Sequence, residues 1–210
     1  MNSNILYIRQ KLKNKLDEDR YEHTLGVAYT AVCLAMRYGE DLYKAEIAGL
    51  LHDCAKCIPD DIKIKKCRKY NIGITASELA NPSLLHAKLG AYYAMNKYGV
   101  RDMDVINAIL CHTTGKPSMT TFEKIIFVAD YIEPRRDKAQ DLPEVRRMAF
   151  VDLDKTVYTI LKDTLDYLKK RGGPIDPMTE KTCRYYEEEL YGGESGREPD
   201  ADSADTAGQK

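Results

Sequence analysis

The whole histidine content of this 210-residue chain is four residues: His23, His52, His86 and His112. Two carboxylates accompany them, Asp53 directly after His52 and Asp130 in the segment Val128-Ala129-Asp130-Tyr131-Ile132-Glu133. Imidazole and carboxylate without an obvious thiolate suit divalent iron, manganese, cobalt, nickel or zinc, and disfavour a magnesium-only oxygen cage. Four histidines exceed what one catalytic metal with open positions takes, so the set reads as two metals with Asp53 as the bridge. Metals about 3.5–4 Å apart hold a bridging hydroxide and stabilise charge that builds on a phosphoryl group. The expected chemistry is therefore metal-dependent phosphohydrolysis. A lone helical histidine is usually a satisfied core or surface group, but all four in this order, with a His-Asp pair, weigh against that reading.

Basic residues recur beside these positions: Arg20 before His23, Lys56 after Asp53, Lys88 after His86, Lys116 after His112, and Arg135-Arg136 after Asp130. Each alone is an ordinary solvated charge. Together they predict an oligophosphate site, because Arg clamps phosphates bidentately and Lys neutralises them. Two divalent cations against two carboxylates leave a charge of about +2. On this reading a metal-activated water attacks one phosphorus in line, Asp53 holds both metals, and Lys56 or Arg136 stabilises the departing group.

Helices must carry these residues. Ile5, Ile8, Leu12 and Leu16 repeat at helical spacing, followed by a polar break at Asp17–Arg20. A 3.6-residue period then runs from Tyr21 to Tyr38, where Gly39 supplies a C-cap. Asp41 caps a helix running to His52, and Pro59 opens a short one near residues 60–71. Further helices are expected at Leu84–Tyr98, from Asp102 to His112, at Phe122–Ile132, from Asp152 to Arg171 as the longest, and at Met178–Tyr191. No alternating strand is visible. The expected fold is all-α, one bundle over residues 1–191, with its site built from helix ends inside it. Adjacent His52 and Asp53 would diverge by roughly 100° on a regular helix, so they are expected at a helix terminus. Tyr (15) carries the aromatic packing, since Trp is absent.

Lys plus Arg (32) balances Asp plus Glu (33), so no overall field points to nucleic acid or an anionic membrane. Residues 193–210 carry net −3, which leaves +2 on the rest of a chain of net −1. The stretch 192–210 has no apolar periodicity and is expected to be a disordered acidic tail. Without an 18-residue apolar run or a signal pattern, the protein is expected to be soluble and cytoplasmic, as a monomer or homodimer. Six cysteines do not make a disulfide scaffold in a chain of this size. Cys33 and Cys111 are expected in the core, and Cys54-x-x-Cys57 is read as coincidence rather than a redox or zinc motif.

Five segments resemble the HD-domain metal-dependent phosphohydrolases, and within them the bacterial YqeK-type symmetrical diadenosine tetraphosphate hydrolases. They are Arg20-Tyr21-Glu22-His23-Thr24, Leu51-His52-Asp53-Cys54-Ala55-Lys56, Leu85-His86-Ala87-Lys88-Leu89-Gly90-Ala91, His112-Thr113-Thr114-Gly115 through Met119, and Ala129-Asp130-Tyr131-Ile132-Glu133-Pro134-Arg135-Arg136. The chain departs from the family at Ala87, where Gly is expected, and at Cys183-Arg184, where an Arg-Asn pair is. The resemblance implies cleavage of diadenosine tetraphosphate into two ADP at a pair of transition-metal ions, iron foremost. It implies His23, His52, Asp53 and Asp130 as ligands of a first metal, with His86 and His112 on a second and Asp53 shared. Arg20, Lys56, Thr113, Thr114 and Arg136 would contact phosphates, and His86, Ile175 and Thr179 would also border the substrate. A hydrolase of other nucleotides, or a nucleotide-binding regulatory module without catalysis, are the alternatives.

Overall fold

A computed structural model describes residues 3–137, 139 and 141–192. Among them the chain is all-α. Its helices are α1 (Ser3–Lys13), α2 (Glu18–Tyr38), α3 (Leu42–Leu51), α4 (Asp60–Lys69), α5 (Ala76–Ala80), α6 (Leu85–Lys97), α7 (Met103–Cys111), α8 (Thr121–Ile132), α9 (Leu142–Met148), α10 (Leu153–Arg171) and α11 (Pro177–Tyr191). A single 3-10 turn, Pro82–Leu84, leads into α6.

Side-chain caps place the helix starts. Asp17 accepts from the Arg20 N–H at 2.8 Å, so α2 begins at Glu18 and the expected polar break becomes its first turn. With 21 residues α2, not the 19-residue α10, is the longest helix. Gly39 ends α2 in the left-handed conformation at φ 75°. Thr120 and Glu123 form a reciprocal capping box at the start of α8. Helices α5 and α9 were not anticipated, because five and seven residues are too few to show a helical period.

α2 is the central strut, packed along α3 on one side and α8 on another, with α10 outside α8. α6 and α7 pair with each other and close against α3 and α8. Leu34, Leu50, Leu51, Ile109, Ile125 and Ile126 are fully buried between these layers, each contributing roughly 1.5–3 kcal/mol by leaving water. The closest approach is backbone to backbone: a Cβ on Gly49 would stand 2.6 Å from Ala28 Cα. This contact brings the end of α3, which carries His52, down onto α2. Tyrosines knit the periphery, with Tyr38 donating to Ala149 O at 2.8 Å and Tyr186 accepting from the Met119 N–H at 3.1 Å.

All six cysteines are free. Cys111 is buried as expected, but Cys33 is exposed on α2, because its face of the helix turns away from α3 and α8. Cys54 is buried, its thiol donating to Gly90 O, while the exposed Cys57 donates to Asp17. Burial pushes the Cys54 thiol up to about 12, which makes it a poor nucleophile. No described helix is long and apolar enough to cross a membrane. The expected acidic tail lies outside the described residues, apart from Gly192.

Gly49→Val places three carbons where α2 and α3 touch through their backbones, and should cost about 3 kcal/mol or more. Urea denaturation measures this, and an unchanged midpoint would mean that the two helices separate freely.

Candidate metal centre

The six expected ligands converge, and each comes from a helix end or turn. Arg20 and His23 lie one turn apart near the start of α2. His52 is the C-cap of α3, and Asp53 opens the turn beyond it. His86 stands in the first turn of α6, His112 is the C-cap of α7, and Asp130 lies in the last turn of α8. Because α6 and α7 form an antiparallel pair, the start of one meets the end of the other, and His86 Nε2 lies 3.1 Å from His112 Nε2.

Asp53, 2 % exposed, divides the cluster. Its Oδ2 faces His52 Nε2 at 3.6 Å and His23 Nε2 at 3.9 Å. Its Oδ1 faces His86 Nε2 at 3.2 Å and His112 Nε2 at 3.6 Å. Asp130 Oδ1 completes the first half, 3.1 Å from His23 Nε2 and 3.8 Å from His52 Nε2. Donor atoms of His23, His52 and Asp130 lie within 4.8 Å of one another, as do those of His52, Asp53 and His112. The second grouping takes His52 in place of His86. The 3.2 Å and 3.1 Å contacts of His86 with Asp53 and His112 nonetheless put it in that half.

The far side of each ring decides what the near side offers. Nδ1 of His52, His86 and His112 donates to the carbonyls of Gly49 (2.7 Å), Ser83 (2.6 Å) and Ile109 (2.8 Å). His23 Nδ1 meets Glu133 Oε1 at 3.0 Å. Carbonyl and carboxylate oxygens only accept, so Nδ1 carries the proton and Nε2 presents a lone pair. Four lone pairs and two carboxylates thus face one space. His23 Nε2, His52 Nε2 and Asp53 Oδ1 are buried without a hydrogen-bond partner. Such acceptors at 3–4 Å repel unless a cation lies among them. A proton is disfavoured, because burial first of all holds His52 and His86 down at about 4. Burial would raise Asp53 and Asp130, but the surrounding imidazoles outweigh it, and both carboxyls lie well below their ordinary value. The donor set fits divalent transition metals.

The HD domain family model matches residues 20–135. A symmetrical bis(5'-nucleosyl)-tetraphosphatase of Bacillus subtilis (strain 168) is 42% identical over 168 residues, covering 80% of this chain and 89% of that protein. One from Staphylococcus aureus (strain NCTC 8325 / PS 47) is 38% identical over 187 residues, covering 87% and 94%. The chain belongs to the HD-domain family. A solved structure from Clostridium acetobutylicum, described as a predicted HD superfamily hydrolase involved in NAD metabolism, agrees with a TM-score of 0.83 at 41% identity. It covers 86% of this chain and 95% of that one.

In this HD protein the centre is a divalent-metal site opening into a cleft of ≈ 940 Å³. Three of the basic residues singled out in the sequence reach it. Arg20 donates to Asp53 Oδ2 at 2.7 Å, Arg136 to Asp130 Oδ1 at 2.7 Å, and Lys56 Nζ lies 3.3 Å from His86 Nε2. Arg135 also lines the cleft, paired with Asp19 (3.4 Å), whereas Lys88 is drawn to Glu78 (2.8 Å) and Lys116 to Glu123 (2.7 Å). Thr113 Oγ1 stands 3.1 Å from Nε2 of both His86 and His112. Thr114 instead turns its hydroxyl to Gly115 O. Neither it, Ile175 nor the buried Thr179 lines the cleft. The turn after His112 packs against α11, where Gly115, at φ 63°, leaves a notch in which a Cβ would meet Thr182 at 2.8 Å.

Two supporting residues were not anticipated. Arg146 of α9 donates to the carbonyls of Ile132, Glu133 and Arg136 at 2.8–2.9 Å, satisfying the end of α8 and holding the loop after Asp130. Glu133 follows Asp130 by three positions in the sequence. Its contact with His23 joins residues 110 positions apart, and no local pattern shows it.

The depressed histidines set an acid dependence for the metal-free protein. His52 and His86 take protons near 6.5 when unfolded but only near 4 when folded. Their contribution is fully present above 6.5 and is lost as pH falls from 6.5 towards 4. The slope approaches about 1.4 kcal/mol per pH unit for each histidine. Asp53 and Asp130, held below 3.8, act only at lower pH. Urea midpoints of chelator-treated protein at pH 7, 6 and 5 should fall steadily; a flat series would show that the folded imidazoles accept protons freely.

Proposed function

We propose that the protein hydrolyses diadenosine tetraphosphate symmetrically to two ADP at a dinuclear centre. The observation that carries this reading is the division of Asp53, whose two oxygens each face a separate histidine pair at the mouth of a cleft lined by Arg20, Lys56 and Arg136. The named activity of the Bacillus subtilis and Staphylococcus aureus relatives supports the substrate. On this reading His23, His52, Asp53 and Asp130 hold one metal, and Asp53, His86 and His112 the other. Iron is the proposed native metal, with manganese, cobalt, nickel and zinc compatible with the same donors. The nucleotide chemistry and six free cysteines fit a reducing, cytoplasmic setting.

Bound there, the metal pair supplies Lewis acidity and a water acidic enough to ionise near neutral pH. The chain's own groups do the rest. Arg20 and Arg136 flank the two carboxylates, so their guanidinium groups are placed to orient a polyphosphate at the cleft mouth. Water adds to one of the two central phosphorus atoms, and the bridging oxygen leaves with the other ADP. Lys56 Nζ, 4.0 Å from Asp53 Oδ1, is the cation placed to meet the charge on that oxygen. Thr113 presents its hydroxyl to the same half, while Thr114, read from the sequence as a phosphate contact, and Ile175 and Thr179 stand outside the cleft lining. An inactive binding module is not favoured, since all six donors are intact and converge.

Incubation with diadenosine tetraphosphate, with products separated by anion exchange, should yield ADP alone. AMP plus ATP would overturn the symmetric reading, and no turnover with metals bound would shift the substrate to another nucleotide. Asp53→Ala should lose both metals and all turnover. Lys56→Ala should retain the metals but lower kcat roughly 10²-fold or more; a Lys56→Ala enzyme with unchanged kcat would remove Lys56 from catalysis.

A further inference from the structure

Glu133 is the C-cap residue of α8, three positions after Asp130, and only 1% exposed. One carboxylate oxygen meets His23 Nδ1 at 3.0 Å, and the other accepts from the Arg135 backbone N–H at 2.8 Å. The neighbouring helix is built around it. Gly26 lies one turn beyond His23 on α2, and a Cβ there would stand 2.5 Å from Glu133 Oε2. Arg146 fixes the same residue from behind through its carbonyl.

The four imidazoles are therefore not held alike. Those of His52, His86 and His112 rest on neutral backbone carbonyls, and that of His23 rests on a carboxylate. A carbonyl would suffice to fix the ring and its tautomer, as it does three times in this centre. A buried carboxylate is costly to desolvate, so its presence asks for an effect that a carbonyl does not supply. Charge-assisted hydrogen bonds are roughly twice as strong as neutral ones. A charged acceptor on Nδ1 also enriches the lone pair that Nε2 offers to a metal.

We propose that Glu133 is a positioning residue that makes the two halves of the centre unequal, so that the His23/His52/Asp130 position binds its divalent cation more tightly than the His86/His112 position. The first half gathers Asp130, Glu133 and one oxygen of Asp53, opposed from the rim by Arg20 on Asp53 Oδ2 and Arg136 on Asp130 Oδ1 at 2.7 Å each, and the second only the other Asp53 oxygen. Lys56 lies in the second half, 3.3 Å from His86 Nε2, and adds positive charge there. Charge and ligand basicity thus run the same way. This proposal rests on the dinuclear reading of the centre.

Glu133→Gln keeps the shape and fills the Gly26 notch, but removes the charge. Its amide also has one oxygen for two donors, so either His23 Nδ1–H or the Arg135 N–H faces an NH2 group. Gly26→Ala reaches the same end differently, by displacing the carboxylate while favouring the helix. The full chain, loaded with Co²⁺, is stripped by a graded chelator series, with visible absorption and metal content following each loss. Wild type should hold two Co²⁺ of distinct affinity. Both variants should weaken the tighter one by about 10–100-fold and leave the weaker one unchanged. In a His86→Ala background, where one Co²⁺ remains, Glu133→Gln should produce the same loss. Two Co²⁺ with unaltered affinities, or both weakened equally, would overturn this proposal alone. A wild type holding a single Co²⁺ would remove the dinuclear reading and this proposal with it.

Discussion

The structure depends on keeping one ionised carboxylate, Asp53, in a buried pocket of imidazoles. A carboxylate 2% exposed is costly unless its charge is met, and among the side chains only Arg20 donates to it, on Oδ2 from the rim. Four Nε2 lone pairs stand 3.2–3.9 Å from it. Six acceptor groups facing one space are stable only with positive charge among them. The centre is a cation site by electrostatic necessity, and the same necessity explains why side-chain cations line its mouth.

That arrangement demands close approach of backbones. α2 and α3 touch where Gly49 meets Ala28, which lowers His52 towards His23. α6 and α7 meet end to start, which sets His86 against His112. Arg146 holds the last turn of α8 by donating to the carbonyls of Ile132 and Glu133 at its end and of Arg136 in the loop beyond. The candidate donors therefore sit at or near helix ends, with His23 in the second turn of α2 and Asp53 just beyond α3. The ligands are fixed by the packing of helices rather than by the flexibility of loops.

The surroundings of the two halves differ. Acidic groups gather behind His23, and Lys56 stands beside His86. A polyphosphate entering the cleft meets cations at Arg20, Lys56 and Arg136. Lys88 and Lys116 instead serve the fold, as in the pairing of Lys116 with the buried Glu123 that also caps α8.

The sequence alone offered four imidazoles and two carboxylates as candidate donors, and determined the all-α class and most helix boundaries. Ligand identity is chemical, and long amphipathic helices with Asp, Thr and Gly at their ends carry their limits locally, as Asp41, Thr120 and Gly39 show. The short helices α5 and α9 left no period to read. The exposure of Cys33 turned on which face of α2 its neighbours cover. Tertiary structure alone decided which Asp53 oxygen faces which histidines, and which of six basic residues reach the site. It also decided that Glu133 backs His23. Those are contacts between residues tens of positions apart, set by how helices cross, and no local spacing encodes a crossing.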